Sequence, residues 1–282
     1  MSKNTQASVK SYYSRIGTRL GYNLVMRGNK HFGYYETGTS SEAIAQQQFL
    51  DKIIHIFDLK PGMKVLDAGC GQGYVATAVA KACDVDVTGV TLVPFEVKTA
   101  QKIARVRGVA NSAHFIVGDY QTTLFPQNSF DRVYAIETLS HAPSVASAIE
   151  QFYGALKPGG KFIAVEYEID IAKFSLSDTE ILEFAIKYGA LHGARQFDMG
   201  VFDRILNDAG LENIVERDWT SACLPSFQRL RRLAKPLKPF VERFHLEKYF
   251  INTVVAYAYA DWAEQEKFYF KVYSATKLPK NR

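Results

Sequence analysis

At 282 residues and 31.7 kDa, with 47% hydrophobic, 13% aromatic and 22% charged side chains and a formal charge of +5, the chain has a globular composition. That excludes a disordered or low-complexity protein, and the small cationic excess forms no basic stripe, so no nucleic-acid partner is expected. The longest apolar run, residues 254–260, is seven residues long, against about 18 needed to cross a bilayer; no transmembrane span is expected, and peripheral contact with a membrane is left open. Cys70, Cys83 and Cys223 are an odd number without a C-x-x-C pair. They support neither a disulfide framework nor a metal site, which makes a reducing, cytoplasmic compartment the default. Composition is silent on oligomeric state.

In chain order, residues 1–35 hold Lys3, Lys10, Arg15, Arg19, Arg27 and Lys30 and no acid before Glu36. Such a composition is that of a transit peptide. The stretch runs unbroken into the glycine-aromatic cluster His31-Phe32-Gly33-Tyr34-Tyr35, which favours a lid facing a ligand. From Lys64 short β-branched runs alternate with longer helical patterns, the signature of a parallel sheet covered on both faces. Strands are expected at 65–68, 85–91, 114–117, 130–136 and 161–167, with a helix opening at Pro94, a favoured first-turn proline. Beyond Asp170 come a helical insertion to about Gly193, a helix at 201–209, a strand at 212–219, a second insertion with Arg229, Arg231, Arg232, Lys235 and Lys238, and a last strand at 268–276.

Residues 65–73 read as a strand running into a glycine turn, with Asp67 at the strand's end and Gly69, Gly71 and Gly73 behind it. Glycines let backbone approach a ligand where a Cβ would clash. The spacing is G-x-G-x-G and not the dinucleotide G-x-G-x-x-G. A carboxylate just before the loop repels a pyrophosphate and attracts a cation, which suits S-adenosylmethionine.

With this motif and its sequels Gly118-Asp119, Phe130-Asp131-Arg132-Val133 and Leu156-Lys157-Pro158-Gly159-Gly160, the chain resembles the class I S-adenosylmethionine-dependent methyltransferases. The resemblance covers about residues 50–168 and, more loosely, 200–219 and 267–277. It implies an α/β, Rossmann-like seven-stranded sheet with an antiparallel last strand, S-adenosylmethionine as cofactor, and helical lid and cap insertions. The expected organisation is a lid at 1–50, a cofactor-binding core at 51–169, a cap insertion at 170–199, a core helix and strand at 200–220, a helical cap at 221–266 and a final core strand and tail at 267–282.

Carried over from the family, Gly69, Gly71 and Gly73 line the methionine part of the cofactor, Asp67 orients its amino group, Asp119 takes the adenine amino group, and Thr91, Leu92, Tyr120 and Ile136 stand around it. The acid usual at the end of the second strand is missing. Gly89-Val90-Thr91-Leu92-Val93-Pro94-Phe95-Glu96 resembles instead the G-V-T-L-S-P-x-Q of sterol, tocopherol and cyclopropane-type enzymes. Glu96 is there a candidate for the ribose hydroxyls, or else a surface acid favoured by the helix dipole.

Tyr134-Ala135-Ile136-Glu137-Thr138-Leu139-Ser140-His141-Ala142-Pro143 resembles the Y-A-I-E-x-x-x-H-A-P of sterol C-methyltransferases. His31 to Tyr35 is more similar to tocopherol, prenyl-diphosphate and small natural-product methyltransferases. Carbon methylation of an alkene creates a carbocation and then removes a proton, so it needs carboxylates, aromatic faces and a base. Glu137, Glu166 and His141 are the catalytic candidates, and His31, Tyr34, Tyr35, Tyr167 and Glu168 the substrate-pocket candidates. The expected reaction is methylation of a small apolar, isoprenoid or sterol-like acceptor. The alternatives are O- or N-methylation of an aromatic or amine, or a non-catalytic cofactor-binding protein.

Overall fold

A computed structural model describes residues 3–14, 31–123 and 125–279. Seven strands form one sheet: β1 (Lys64–Ala68), β2 (Asp86–Thr91), β3 (Ala113–Val117), β4 (Phe130–Ile136), β5 (Leu156–Ile169), β6 (Glu212–Asp218) and β7 (Phe268–Thr276), in the order β3-β2-β1-β4-β5-β7-β6. The first five run parallel, and β7 is antiparallel to both neighbours. This is the Rossmann-like α/β sheet that the motifs imply.

Central strands read as near-continuous apolar runs because helices cover both faces of a parallel sheet; β1 is buried at every position after Lys64. The flanking helices are α1 (Lys3–Ser14), α2 (Glu42–Phe57), α3 (Tyr74–Cys83), α4 (Pro94–Arg107), α5 (Val145–Ala155), α6 (Leu176–Gly189), α7 (Val201–Asp208), α8 (Thr220–Ala234), α9 (Lys238–Arg243) and α10 (Ile251–Glu264). Their ends carry local chemistry. The Ser41 and Ser144 side chains cap α2 and α5, and Ser175 with Asp178 forms a capping box on α6.

One boundary departs from expectation. β5 starts at Leu156 rather than near 161 and carries Lys157-Pro158-Gly159-Gly160 within it. Phe130 pairs with Leu156 and Arg132 with Lys161, so the four residues loop out at a register shift. The loop is held from the end of the neighbouring strand β7, where the Gly159 amide donates to the Lys277 carbonyl at 2.7 Å and Lys277 Nζ donates to the Leu156 and Tyr153 carbonyls.

The two insertions pack on each other. Asp178 at the start of α6 accepts from Trp262 Nε1 of α10 at 2.6 Å and from Lys267 Nζ at 2.8 Å. Arg231 of α8 reaches Asp261 and Glu264 of α10. Phe227, Tyr259 and Phe268 continue this packing down to β7.

Candidate active site

Strand order reverses about β1, whose neighbours are β2 and β4. Ligands of open α/β sheets bind at such a switch point, outside the carboxyl ends of the strands. A cleft with about 910 Å³ of free space, part of it open to solvent, lies there.

Asp67 is the penultimate residue of β1 and is 4% exposed. The Tyr134 hydroxyl donates to its Oδ2 at 2.8 Å. Burial pushes the Asp67 carboxyl up to about 7 against that hydrogen bond. The next turn requires glycine at Gly69, whose φ is +89° and whose Cβ, if present, would stand 2.6 Å from Thr138 Cβ. The amides of Gly69 and Cys70 both donate to the Val90 carbonyl at 2.9 Å, which ties the loop to the end of β2. Gly73 has a different duty. It caps α3 with φ +75°, and a Cβ there would meet Ala100 and Phe115 within 3 Å, so it permits close helix packing and is not among the cleft-lining residues.

Past β2, the Thr91 hydroxyl donates to Glu96 Oε2 at 2.8 Å, and Glu96, in the first turn of α4, is 2% exposed inside the cleft. The structure thus brings Glu96 in from the surface. Leu92, Asp119, Tyr120 and Ile136 also line the cleft. Asp119 Oδ1 accepts from the Gln121 amide, and its Oδ2 accepts from Gln6 Nε2 of α1 at 3.0 Å. Tyr120 donates to the Thr138 carbonyl.

The end of β4 supplies another wall. Glu137 lies in left-handed backbone with φ +49°, a conformation that costs a non-glycine residue roughly 1 kcal/mol or more and persists where surroundings over-determine it. Its amide donates to the Val165 carbonyl, and its Oε1 accepts from the Phe32 amide at 3.2 Å. Burial, then the nearby Glu166, push its carboxyl well above the usual range. His141 ends a short 3-10 turn, Leu139–His141, with Nδ1 2.9 Å from the Ala190 carbonyl and Nε2 2.7 Å from the Tyr13 hydroxyl. A carbonyl only accepts, so Nδ1 carries a proton, and in the neutral form of the ring Nε2 accepts from the Tyr13 hydroxyl. His31 also faces the cleft, stacked on Phe49; burial lowers it to about 4 and keeps it neutral.

Besides Gly73, five candidates stand apart from this cleft. Glu166 lies beneath the wall, where its Oε1 accepts from the amides of Thr138, Leu139 and Ser140 at 2.6, 2.6 and 3.4 Å; burial raises it to about 7. It shapes the turn that carries Glu137 and His141. Glu168 accepts from the Gly200 amide and pairs with Lys271. Tyr34 packs edge-on against Trp219, and Tyr35 donates to Glu42. All four are absent from the cleft lining because strand alternation and the packing of α2 turn them toward neighbouring elements. Tyr167 lines a second, apolar cavity with Ile169, Ile181, Leu182, Val255, Tyr259 and Trp262.

Sequence reasoning passed over Gln6, Val9 and Tyr13, all brought to the cleft by α1. Their only local signal was an aromatic pair, Tyr12-Tyr13, in an acid-free stretch.

Asp67, Glu96, Asp119 and Glu137 line the cleft, with no lysine or arginine among its described lining residues. Such a site suits a cation-bearing ligand and repels a pyrophosphate. Fold, glycine loop and acid-lined cleft define a class I S-adenosylmethionine-binding enzyme. A methyltransferase-domain family model matches residues 66–164. An S-adenosyl-L-methionine-dependent Diels-Alderase of Talaromyces variabilis is 30% identical over 263 residues, covering 90% of this chain and 89% of that protein. A sterol 24-C-methyltransferase of Gibberella zeae is 37% identical over 162 residues, 57% of this chain and 42% of that protein, so the chain spans less than half the length of this relative. Among solved structures, the cyclase SpnF superposes with a TM-score of 0.76 at 24% identity over 97% of this chain and 96% of that chain, a likeness of fold. The chain belongs to the class I S-adenosylmethionine-dependent methyltransferases, and S-adenosylmethionine is its cofactor.

Proposed function

We propose that this enzyme transfers a methyl group to a carbon of an apolar, alkene-bearing small molecule of isoprenoid or sterol-like kind. The observation that carries this reading is the wall formed by Glu137, His141 and Tyr13: a buried carboxyl and an imidazole fixed between the Ala190 carbonyl and the Tyr13 hydroxyl, in a cleft with no lysine or arginine among its described lining residues. The apolar cavity bounded by Tyr167 and Tyr259 supports an apolar acceptor; burial, and after it Tyr167, Tyr12 and Glu137 nearby, raise the Tyr259 hydroxyl.

The cofactor supplies an activated methyl group on a sulfonium. Asp67 would hold its ammonium, Glu96 the ribose hydroxyls and Asp119 the adenine amino group, with Gly69, Gly71, Thr91, Leu92, Tyr120 and Ile136 shaping the surroundings. Enzyme residues then act by alignment and charge. As the acceptor's π pair forms the new carbon–carbon bond and the carbon–sulfur pair passes to sulfur, positive charge develops on the acceptor. Glu137 stabilises it as a carboxylate, its proton having passed to solvent when the cationic cofactor bound. His141 Nε2 takes the proton that the cation loses, directly or as Tyr13 passes its own along, and the Ala190 carbonyl steadies the resulting imidazolium through Nδ1. The same nitrogen would take the proton of a hydroxyl or amine acceptor.

A second reading is cofactor-dependent cyclisation of a polyene. It is favoured by the 30% likeness to the Diels-Alderase, which runs through lid and cap, whereas the likeness to the sterol enzyme covers 57% of the chain. One experiment separates the readings: sterols, prenyl diphosphates, prenylated quinols, phenols, amines and linear polyenes are incubated with methyl-labelled cofactor or with S-adenosylhomocysteine, and products are weighed by mass spectrometry. Methyl transfer leaves label on the product and stops with S-adenosylhomocysteine; cyclisation leaves mass unchanged and continues. Label on oxygen or nitrogen overturns carbon methylation. On the productive acceptor, Glu137→Gln and His141→Ala are expected to lower turnover by about 100-fold or more with cofactor affinity retained by calorimetry.

A further inference from the structure

The cap carries a surface that the active site does not use. Between the last turn of α8 and the start of α10, Leu233, Leu237, Phe240, Phe244, Tyr249 and Phe250 are 38–59% exposed. Of the segment's other apolar side chains, Ala234 and Val241 are the buried anchors. These side chains span two helices and the turn between them: Leu233 lies in the last turn of α8, Leu237 in the turn, Phe240 in α9 and Phe244 just past its end. The Phe240 and Phe244 rings touch, with centroids 4.8 Å apart, yet both stay in solvent. So large a run of outward aromatic and aliphatic side chains marks an interaction site.

Charge selects the partner. Residues 233–250 hold Lys235, Lys238, Arg243 and Lys248 against Glu242 and Glu247, an excess of two positive charges. Pro236 and Pro239 flank Leu237 and Lys238 and turn the chain between α8 and α9. A patch of bulky apolar groups bordered by cations is the composition of a segment lying in the interface of an anionic bilayer: rings enter the acyl boundary, and lysine and arginine stay at the headgroups. A second copy of the chain would bring the same cationic excess against itself, in a molecule whose total charge is already +5, which disfavours self-association through this face.

We infer that residues 233–250 form a docking surface for an anionic lipid membrane, holding the enzyme peripherally at the bilayer. Among the described residues no helix is long and apolar enough to cross one, so the contact is interfacial and reversible. Salt weakens it, because screening at high ionic strength removes the headgroup attraction.

The test is co-sedimentation of the whole protein with vesicles of phosphatidylcholine alone or of phosphatidylcholine mixed with phosphatidylserine, at low and high salt. Binding is expected to the mixed vesicles, to weaken on adding salt, and to fall by roughly tenfold or more in Phe240→Ser/Phe244→Ser and in Lys235→Glu/Arg243→Glu. The substituted side chains are exposed, so both variants should keep the parent circular dichroism, melting profile and cofactor affinity. The proposal is overturned if mixed vesicles do not bind the parent protein, or if both variants bind them as well as the parent does. It is equally overturned if the aromatic variant loses self-association in sedimentation velocity while the parent leaves vesicles untouched, which assigns the face to a protein contact.

Discussion

Asp67 illustrates how one residue reads differently in sequence and in structure. The sequence marks it as a carboxylate before a glycine turn; burial then raises it to about 7 against the hydrogen bond from Tyr134. A cationic ligand binds the ionised form, so lowering pH removes the binding-competent state. Cofactor affinity is therefore expected to weaken about tenfold between pH 8 and pH 6, measured by calorimetry, and Asp67→Asn should bind weakly with that pH dependence flattened. An affinity that is level across this range in the parent would show that Asp67 does not meet the ammonium. Gly69 sets a different constraint. Gly69→Ala combines φ +89° with a Cβ against Thr138, and a loss of about 1–3 kcal/mol in unfolding free energy is expected, together with loss of cofactor binding; the measurement is denaturant unfolding alongside calorimetry. His141 shows what a motif leaves out. Its place in the chain was legible, but its tautomer follows from the Ala190 carbonyl, 49 residues away.

Among the elements, α1 is the one whose role was least legible. Its sequence is cationic and acid-free, compatible with a leader or a lid, and what decides its placement is contact with distant chain: Gln6 with Asp119, Tyr12 with Asn252, Tyr13 with His141. The Gln6 amide donates to the same carboxylate proposed for the adenine amino group. Gln6→Ala is expected to tighten cofactor binding by about fivefold, the worth of one competing hydrogen bond of about 1 kcal/mol; unchanged or weaker binding by calorimetry would show that Gln6 does not compete. Strands of the core were legible almost to the residue because their apolar runs need no distant information. β4 and β7 occupy 130–136 and 268–276 as the pattern predicts, whereas the start of β5 was missed because Lys277, from the far end of the chain, holds the Pro158-Gly159 loop against it.

At the scale of the molecule, the buried acids couple protonation to stability. Asp67 and Glu166 sit at about 7, above their ordinary values of 3.8 and 4.5. Through the interval between those values and 7 the folded chain holds protons that the unfolded chain has released, so stability is fully present below the interval and is lost as pH rises through about 7. His31, lowered to about 4 from 6.5, acts oppositely, removing stability as pH falls below 6.5. Without cofactor, the melting temperature is expected to fall from pH 6.5 to pH 8. The rise produced by saturating cofactor should be larger at pH 8, where Asp67 is ionised and meets its cation. Thermal scans at both pH values check this, and a cofactor-induced rise that does not grow with pH counts against the assignment.

Sheet class, cofactor and the positions of the glycine loop, Asp119 and Glu137 were determined by the sequence alone. They are local: a strand's apolar run, a turn's glycine and a carboxylate at a strand end are each specified within a few residues. Tertiary structure decided which candidates share a cleft. It drew Glu96 inward, set Glu166 beneath the wall as a support for the turn, turned Tyr34 and Tyr35 toward Trp219 and Glu42, and brought Gln6 and Tyr13 to the site from the other side of the chain. Those choices depend on which surfaces a folded sheet leaves to be covered and on which buried polar groups must find partners. Both are properties of the packed chain, so neither could be read from local spacing.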